Sequence, residues 1–398
     1  MAYIYKNSKG IEVSSWSYST GQTFGFCRRK FKLAKKDGWR SKGDTAASKF
    51  GVAVEDAIQH FHADGLKAGC GVDHFKYRWL QFKEVPNLVY KEKEGDWKDF
   101  YQAGSELLAL YELSVPSLPF VNPQFQLRYA KEVFPGTELA GITDQGFTDM
   151  HCSPPWDHPL LPKLPKPANA QHRPLIVDIK VSGKGLDATP GMLRMDKQLR
   201  RYAWQSGILD VAFLWLHRSK PNSYEKGVEV TFLEPSGKWT PLQQAVVLEY
   251  DSETRQATVT PKINLVQITK ELDEIKGKGT KERRKALLDK WLLDDVISVV
   301  PVSAVTKQKL TFTAVRMSQE AVLDEGRLVG KDIVEARQAQ AEEFWPETGA
   351  GVRFPNQNCV WCEMRGICLD DPKLRDNLLV QITPAPEADW LDQISEDE

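Results

Sequence analysis

Hydrophobic and polar residues alternate most sharply in Leu175-Ile176-Val177-Asp178-Ile179-Lys180-Val181, where Ile176, Asp178 and Lys180 point to one face and Val177, Ile179 and Val181 to the other. A repeat of two is the mark of a strand. The pattern predicts a strand with an apolar back that displays a carboxylate beside an amine. Such a pair suits a cation site, with the Asp as ligand and the Lys within reach of a bound water. The plain alternative is a surface D-x-K on an ordinary amphipathic strand.

Helical spacing accounts for other stretches. In residues 44–63 the apolar Phe50, Val54, Ala57, Ile58 and Phe61 recur at three and four, with Gly51 one turn before Glu55 on roughly the same face. Helices are also predicted over 99–113, 264–276 and 280–293, the last two joined by Lys276-Gly277-Lys278-Gly279. A further one over 195–206 puts Gln198, Tyr202 and Gln205 on one face. Strands are predicted from Gln126 to Phe134 and from Glu138 to Cys152, joined at the tight-turn signal Pro135-Gly136. The second carries Gly141-Ile142-Thr143-Asp144 and then Gly146-Phe147-Thr148-Asp149. Val211 to Leu216 reads as a buried strand, with Val228 to Leu233 as its partner. The Pro-rich stretch from Pro154 to Pro174 is placed as a surface loop, and Gly183 to Gly191 as a flexible one.

Composition narrows the setting. With 398 residues, 41% hydrophobic and 27% charged, the chain can bury a full core, as one main domain with insertions or as two. No apolar run approaches the roughly 20 residues of a membrane span, and Met1-Ala2-Tyr3-Ile4-Tyr5-Lys6 lacks the apolar core of a signal peptide. A cytoplasmic protein without membrane contact is the expectation. There, six cysteines are not a disulfide framework, and clustered ones point to metal. A net charge of −1 does not steer nucleic acid to the molecule as a whole. Charge is local instead. Between Arg28 and Lys42 stand eight Lys or Arg against one Asp, interleaved with Phe31 and Trp39 and preceded by Phe26. That run reads either as a solvated face or as a phosphate-contacting patch. Between Glu387 and Glu398 stand six acids and no base, read as a solubilising tail or as a partner-docking helix.

Two groupings carry chemistry. Cys359-x2-Cys362-x5-Cys368 supplies three thiols, one short of a tetrahedral set, and Cys27 in the basic, aromatic N-terminal segment is the candidate fourth. Four thiolates hold a [4Fe–4S] cluster or a zinc ion, and would clip together elements far apart in the chain. Cys70 and Cys152 stand alone and read as packing thiols. The second grouping is Glu55 on a helix, Asp144 or Asp149 on a strand, Asp178-x-Lys180 on the next, and Gln198 and Tyr202 on a helix. Carboxylates from separate elements can converge on one or two hard cations. Lys180 would orient or deprotonate a bound water, and Gln198 and Tyr202 would contact phosphate or position Lys180.

Cys27-Arg-Arg-Lys-Phe, Gly51-x3-Glu55, Gly-x-x-Asp, Asp178-Ile-Lys180, Gln198-x3-Tyr202 and the terminal C-x2-C-x5-C follow in order across residues 14–369. Together they resemble the iron–sulfur branch of the RecB-type PD-(D/E)xK nucleases, which includes the AddB nuclease domain and CRISPR-associated and phage-encoded exonucleases. The resemblance implies an α/β, restriction-endonuclease-like core with a mixed central sheet flanked by helices, its N- and C-terminal segments joined by an iron–sulfur cluster. It implies hydrolysis of DNA phosphodiesters with magnesium or manganese. Glu55, Asp178 and the motif-one Asp would ligate the cation, assisted by the Ile179 carbonyl. Lys180 would serve the attacking water, Gln198 and Tyr202 would form the Q-x3-Y element, and Cys27, Cys359, Cys362 and Cys368 would hold the cluster. Arg28, Arg29, Lys30, Arg200 and Arg201 are the candidate DNA contacts. Motif one has two candidates. Asp144 fits the Leu139-x-Gly141-x-x-Asp spacing and is favoured, whereas Asp149 precedes the apolar Met150. Glu55 stands where this branch usually has His, and the Pro-rich stretch is longer than the resemblance leads one to expect.

The resulting division is a basic segment with the first cluster cysteine (1–43), a nuclease core with the Pro-rich loop 154–174 and a helical region 264–345 as insertions (44–345), a cluster-binding segment (346–372) and an acidic tail (373–398). The leading expectation is a Mg/Mn-dependent exonuclease acting on DNA ends in recombination, repair or phage DNA processing, with a recombinase, annealing protein or helicase as partner. The alternatives are an iron–sulfur DNA-binding or recombination scaffold with a vestigial nuclease centre, and a zinc-clipped regulatory module that docks through the acidic tail.

Overall fold

The alternating strand is present as Leu175–Ser182, and it stands inside a seven-stranded mixed sheet. The computed structural model describes residues 4–6, 12–14, 16, 18–83, 85, 88–91, 94–133, 143–183, 189–220, 224–233, 244–276, 279–346, 359 and 362–382. The chain opens with β1 (Ile4–Lys6), β2 (Glu12–Ser14), α1 (Tyr18–Phe26), α2 (Arg28–Phe31) and β3 (Trp39–Ser41). Three helices follow, α3 (Ala46–Ala63), α4 (Cys70–Phe82) and α5 (Trp97–Ser114), then β4 (Gln124–Glu132), β5 (Thr143–Cys152) and β6 (Leu175–Ser182). Next come α6 (Pro190–Met195), α7 (Lys197–Ser206), β7 (Asp210–His217), β8 (Glu229–Phe232), β9 (Gln244–Asp251) and β10 (Gln256–Pro261). The remainder is α8 (Leu265–Glu274), α9 (Thr280–Leu293), β11 (Ser298–Pro301), β12 (Val305–Thr306), β13 (Lys309–Arg316), α10 (Gln319–Ala341), α11 (Arg365–Cys368), α12 (Pro372–Leu378) and β14 (Leu379–Gln381).

The main sheet runs β1-β2-β5-β6-β7-β13, with β4 also on β5. β6 lies parallel to β7 and antiparallel to β5, and β7 is antiparallel to β13. The predicted alternation sorts the two cores. Leu175, Val177 and Ile179 pack with Ala212, Leu214 and Leu216 against α3, α4 and α5. Ile176, Val211, Phe213 and Trp215 pack the other way, with Leu199, Tyr202 and Ala203 of α7 and Val322, Val329 and Ile333 of α10. The α3 helix forms because its apolar residues recur at three and four and Thr45 caps it, its hydroxyl accepting from Ser48 N–H. Its Phe50 meets Phe75 and Phe100 edge-on at 5.6 and 5.3 Å, tying the three helices of that layer together.

A second, antiparallel sheet of order β11-β10-β9-β8-β12 is inserted between β7 and β13. This corrects two expectations. Val228–Leu233 does not pair with the buried strand at 211–216, because β6 and β13 occupy both edges of β7; β8 pairs with β9 and β12 instead. The region 264–345 is not all helix either, since it supplies β11, β12 and β13. Its two predicted helices, α8 and α9, cover this sheet through Ile268 and Trp291. The Pro-rich insertion has an anchor in Arg173, which is 2% exposed, donates to Pro162 O at 2.8 Å, faces Trp156, and stands 4.0 Å from Asp210. The expected tail start at 373 also moves, because α12 and β14 carry ordered structure to Gln381. The Pro135-Gly136 turn and the acidic run 387–398 lie outside the described residues. No described helix is long and apolar enough to cross a membrane.

Two glycines separate packing from propensity. A methyl group on Gly326 of α10 would come within 2.3 Å of the buried Trp204 indole on α7, whereas one on Gly51 of α3 would meet nothing within 4 Å. Gly326→Ala is expected to lower stability in urea unfolding by about 1–3 kcal/mol. Gly51→Ala should leave it equal or raise it by about 0.5–1 kcal/mol, the ordinary gain of Ala over Gly inside a helix.

Candidate functional site

The β5–β6 ladder pairs Cys152 with Leu175, His151 with Ile176 and Met150 with Val177, and ends there. Beyond that point the Ile179 N–H has no β5 carbonyl and donates instead to Asp149 Oδ2 at 2.8 Å. On its far side β6 stays paired to β7 through Ser182. The divergence opens a gap at the polar face of β6, and Asp178 and Lys180 stand in it.

Asp178 is fully buried, and its two oxygens are held differently. Oδ1 accepts from Gln198 Nε2 at 2.8 Å, and the same amide donates to the Tyr202 hydroxyl at 2.7 Å. Oδ2 is 2.6 Å from Lys180 Nζ, an ion-pair contact that lacks hydrogen-bond alignment, so this oxygen is buried without a well-formed partner. The i, i+4 spacing of Gln198 and Tyr202 puts both on the face of α7 that meets β6. The helix is fixed at its start by the Asp196 cap, which accepts from Leu199 N–H at 2.9 Å. Near its end, Lys131 of β4 donates to Trp204 O at 2.6 Å. Glu55 comes from α3, in the opposite layer, into the field of Asp149 and Lys180.

Three carboxyl groups therefore crowd one ammonium. Burial, with Asp149 nearby, pushes Glu55 up to about 7. Burial also raises Asp149, although the Ile179 N–H and Lys180 oppose it. Asp178 is pushed upward first by burial, with Lys180 pulling the other way. For Lys180, burial favours the neutral amine, but the surrounding Asp178, Asp149 and Glu55 outweigh it and hold the ammonium above its usual range. The Tyr202 hydroxyl is raised by burial and by Asp178 and Asp149.

The site thus brings together Glu55, Asp149, Asp178, Lys180, Gln198 and Tyr202. It does not bring in Asp144, the favoured motif-one residue. Asp144 pairs across the sheet with Lys131 and Ser14, five residues and roughly 16 Å of strand before Asp149. The Gly-x-x-Asp spacing fitted both acids; only the position where β5 leaves β6 distinguishes them. Tyr18 and Asp196 were missed. Tyr18, on α1, lies in the field of Asp196, Lys180 and Asp178, and burial raises its hydroxyl. Nothing in the Ser/Thr-rich opening marked Tyr18, whereas Asp196 was legible as the cap of α7.

The basic run is not a loose phosphate patch. Arg28 pairs with Glu335, Lys30 with Glu363 at 3.0 Å, Lys32 with Asp37 at 2.7 Å and Lys36 with Glu343 at 3.8 Å. Arg40 donates to Ala34 O at 2.8 Å, and Lys42 to Asp376 O. The interleaved aromatics divide: Phe31 is fully buried and Trp39 packs beside Leu33 and Met364, while Phe26 stays exposed with Lys30 over its ring. Arg201 is corrected as a DNA contact, because it is 3% exposed and faces Glu325 of α10. Arg200 is half-exposed and donates to Arg194 O at 2.7 Å.

These ion pairs help to bind the N-terminal segment to the C-terminal one. β3 pairs with β14, Lys42 N–H donates to Leu378 O at 2.8 Å, and Leu33 and Ala34 pack against Met364 and Leu379. Cys362 and Cys368 line that cluster. Cys27 caps α2, its sulfur accepting from Lys30 N–H at 3.4 Å, and it lies in the field of Cys362. Cys27, Cys359, Cys362 and Cys368 are all half-buried, whereas Cys152 is buried and donates to Pro119 O at 3.4 Å. Among the described residues, no three His, Cys, Asp or Glu side chains stand together at metal-holding distance, at this cluster or at the acidic gap.

No protein-family model matches the chain, and no curated protein matches it. One solved structure, "Crystal structure of SSO0001", aligns with 44% of this chain and 62% of its own, at 10% identity and a TM-score of 0.18. The chain therefore spans under two thirds of that protein's length, and a likeness at this level carries no argument about fold or function.

Proposed function

We propose that the chain is a divalent-cation-dependent nuclease that hydrolyses DNA phosphodiesters from an end, on a restriction-endonuclease-like core. One observation supports the reading above the others: Asp149, Asp178 and Lys180 meet where β5 leaves β6, with Glu55 on one side and the Gln198–Tyr202 pair on the other. The donor set is all oxygen and short of positive charge, and Asp178 Oδ2 is buried without a well-formed hydrogen bond. Those are the needs a hard cation fits. Glu55, Asp149 and Asp178 would hold magnesium or manganese, with the Ile179 carbonyl beside them. When bound, such a cation neutralises phosphate charge and acidifies a coordinated water.

The chain's own residues do the rest. Asp178 holds the Lys180 ammonium in the gap, where it can orient a water or meet a phosphate oxygen. Gln198 fixes Asp178 through Oδ1 and keeps the Tyr202 hydroxyl beside it. Asp149 holds the β6 backbone at Ile179, and so sets the direction of both neighbouring side chains. Asp178→Asn, Lys180→Ala and Asp149→Ala are each expected to slow cleavage of end-labelled DNA in magnesium or manganese at least 100-fold, within the range of a lost acid–base group. Asp144→Ala is expected to change it less than threefold. Equal loss at Asp144 and Asp149 overturns the site, and full activity in Asp178→Asn or Lys180→Ala overturns the mechanism.

Charge crowding gives a second test. Glu55 holds its proton to about pH 7 in the folded protein but only to about 4.5 when unfolded. Between those values the folded state binds more protons, so stability falls as pH rises. In EDTA the melting temperature is expected to drop from pH 5 to pH 8, with Glu55→Gln flattening part of the drop and magnesium restoring stability at pH 8. A melting temperature unaffected by magnesium at pH 8 contradicts the cation assignment.

We also propose that Cys27, Cys359, Cys362 and Cys368 hold a [4Fe–4S] cluster that ties the terminal segments beside the core. The fit lies in the chemistry: four half-buried thiols, in chain segments that already pack together, with apolar Leu33, Met364 and Leu379 beside Cys362 and Cys368. Cys359→Ser is expected to remove visible absorbance, iron and sulfide from anaerobically purified protein, and Cys152→Ser to leave them. Bound zinc without iron would instead favour the zinc-clipped regulatory module.

A further inference from the structure

The Pro-rich insertion between β5 and β6 takes no part in the proposed chemistry, yet it is firmly held. Seven of the chain's 23 prolines fall within residues 154–174, so the segment can form neither helix nor central strand. Connections of this length without secondary structure of their own are usually functional or disordered. This one is tied at several points. At its feet, Trp156 N–H donates to Gln171 O at 2.9 Å and Arg173 N–H to Pro154 O at 3.0 Å. Within it, the buried Arg173 guanidinium donates to Pro162 O and the Trp156 indole to Leu164 O at 3.4 Å. Leu161 is turned in and packs with the α3–α5 core.

These anchors grip one side and leave the other outward. Residues 162–167, Pro-Lys-Leu-Pro-Lys-Pro, run on without helix, strand or turn. Lys163, Pro165, Lys166 and Pro167 are exposed, whereas Pro162 and Leu164 are half-buried. Proline fixes φ at about −65°, and a residue that precedes proline is pushed out of the helical region. Every residue of the six except Lys163 is restricted in one of these ways. Both restrictions are met by the polyproline II helix, whose turn of about three residues puts Pro162 and Pro165 on one edge and Lys163 and Lys166 on the next. Charge follows the same strip. Between Asp157 and Asp178 the chain has no acid, and of its three bases there Arg173 is buried while Lys163 and Lys166 face outward.

We propose that Pro162–Pro167 is a ligand for a partner protein, docking in a groove lined with aromatic side chains and rimmed with carboxylates. Aromatic-lined grooves receive the proline edge of such a helix, and carboxylates at the rim complement the two lysines. Because Arg173 and Trp156 order the segment beforehand, docking loses less conformational freedom than it would with a slack loop. A nucleic-acid backbone fits less well, since the tryptophan of the loop is engaged with Arg173 rather than offered to a base. The insertion joins β5 and β6 at the end where they are paired, whereas the acidic gap opens where they part. The docking therefore stands independently of the nuclease reading.

Purified Src-homology 3 domains selected for acidic rims supply such grooves, and binding of the full-length protein to each is measured by titration calorimetry. At least one is expected to bind with a Kd of about 10–100 µM. Pro165→Ala/Pro167→Ala and Lys163→Glu/Lys166→Glu are each expected to weaken that complex at least tenfold, with the melting temperature unchanged because all four positions are exposed. A synthetic peptide of residues 158–168 is expected to displace the protein from the same domain, a measurement that does not depend on how the variants fold. The proposal is overturned if no domain binds below about 1 mM, or if either double variant or the peptide leaves binding unaltered. Fluorescence anisotropy with a labelled oligonucleotide tests the other class of partner. A tenfold loss of oligonucleotide affinity in Lys163→Glu/Lys166→Glu makes the strip a phosphate contact and likewise overturns the proposal.

Discussion

The hydrogen bond from Ile179 N–H to the Asp149 carboxylate marks the constraint on which the site depends. A sheet interior normally satisfies each backbone donor from the neighbouring strand, and a buried donor left without a partner is costly. Here β5 is paired to β6 only from Met150 onward, and the side chain of Asp149, just before it, takes over the work of a carbonyl. The substitution keeps β6 straight and parallel to β7 while opening its other edge. Asp178 and Lys180, which would otherwise face a flat sheet, face a gap. The strand is thus structural on its Val177 and Ile179 face and chemical on the face between them.

Around that gap the two helical layers have separate duties. The α3–α5 layer is built on Phe50, Phe75, Trp79 and Phe100, ring against ring, and it contributes Glu55 from a helix that cannot shift without disturbing those contacts. The opposite layer sets Gln198 and Tyr202 by clamping α7 at both ends, with Asp196 at its start and Lys131 on Trp204 near its finish. Gly326 of α10 lets that helix approach the Trp204 indole closely enough to hold the clamp shut. The positions around Asp178 therefore depend in part on packing against α4, α5 and α10, which hold none of the converging side chains.

Local features read well from the sequence, and features that depend on partner choice did not. The two-residue repeat at 175–181, the three-four repeat at 46–61 and the shared face of Gln198 and Tyr202 each encode an element and its orientation within a few neighbouring residues. Asp149 and Asp144 could not be separated that way, because they sit five residues apart in one strand with the same Gly-x-x-Asp context; their difference is made by β6, whose pairing with β5 ends at Met150, next to Asp149. The second sheet was hidden for the same reason. Its short strands are set by pairing with one another, and their residues carry no repeat strong enough to stand against the helices α8 and α9. The basic run misled in the opposite sense, since Glu335 and Glu363, its acidic partners, lie some 300 residues away in the chain.

Those internal pairings change how an enzyme of this kind would hold a polyanion. The whole molecule is nearly neutral, and the densest group of bases is engaged in clipping the N-terminal segment to α10 and the C-terminal segment. Exposed ion pairs contribute little individually, but several acting between the same two segments restrict them together. On the nuclease reading, long-range attraction of DNA would be correspondingly weak, and recognition would fall to short-range contacts. At the gap Glu55, Asp149 and Asp178 gather around the single ammonium of Lys180, and on the proposed reading a cation there would tip the balance toward phosphate. On the proposed nuclease reading, substrate affinity and catalysis would then share one requirement, the divalent ion.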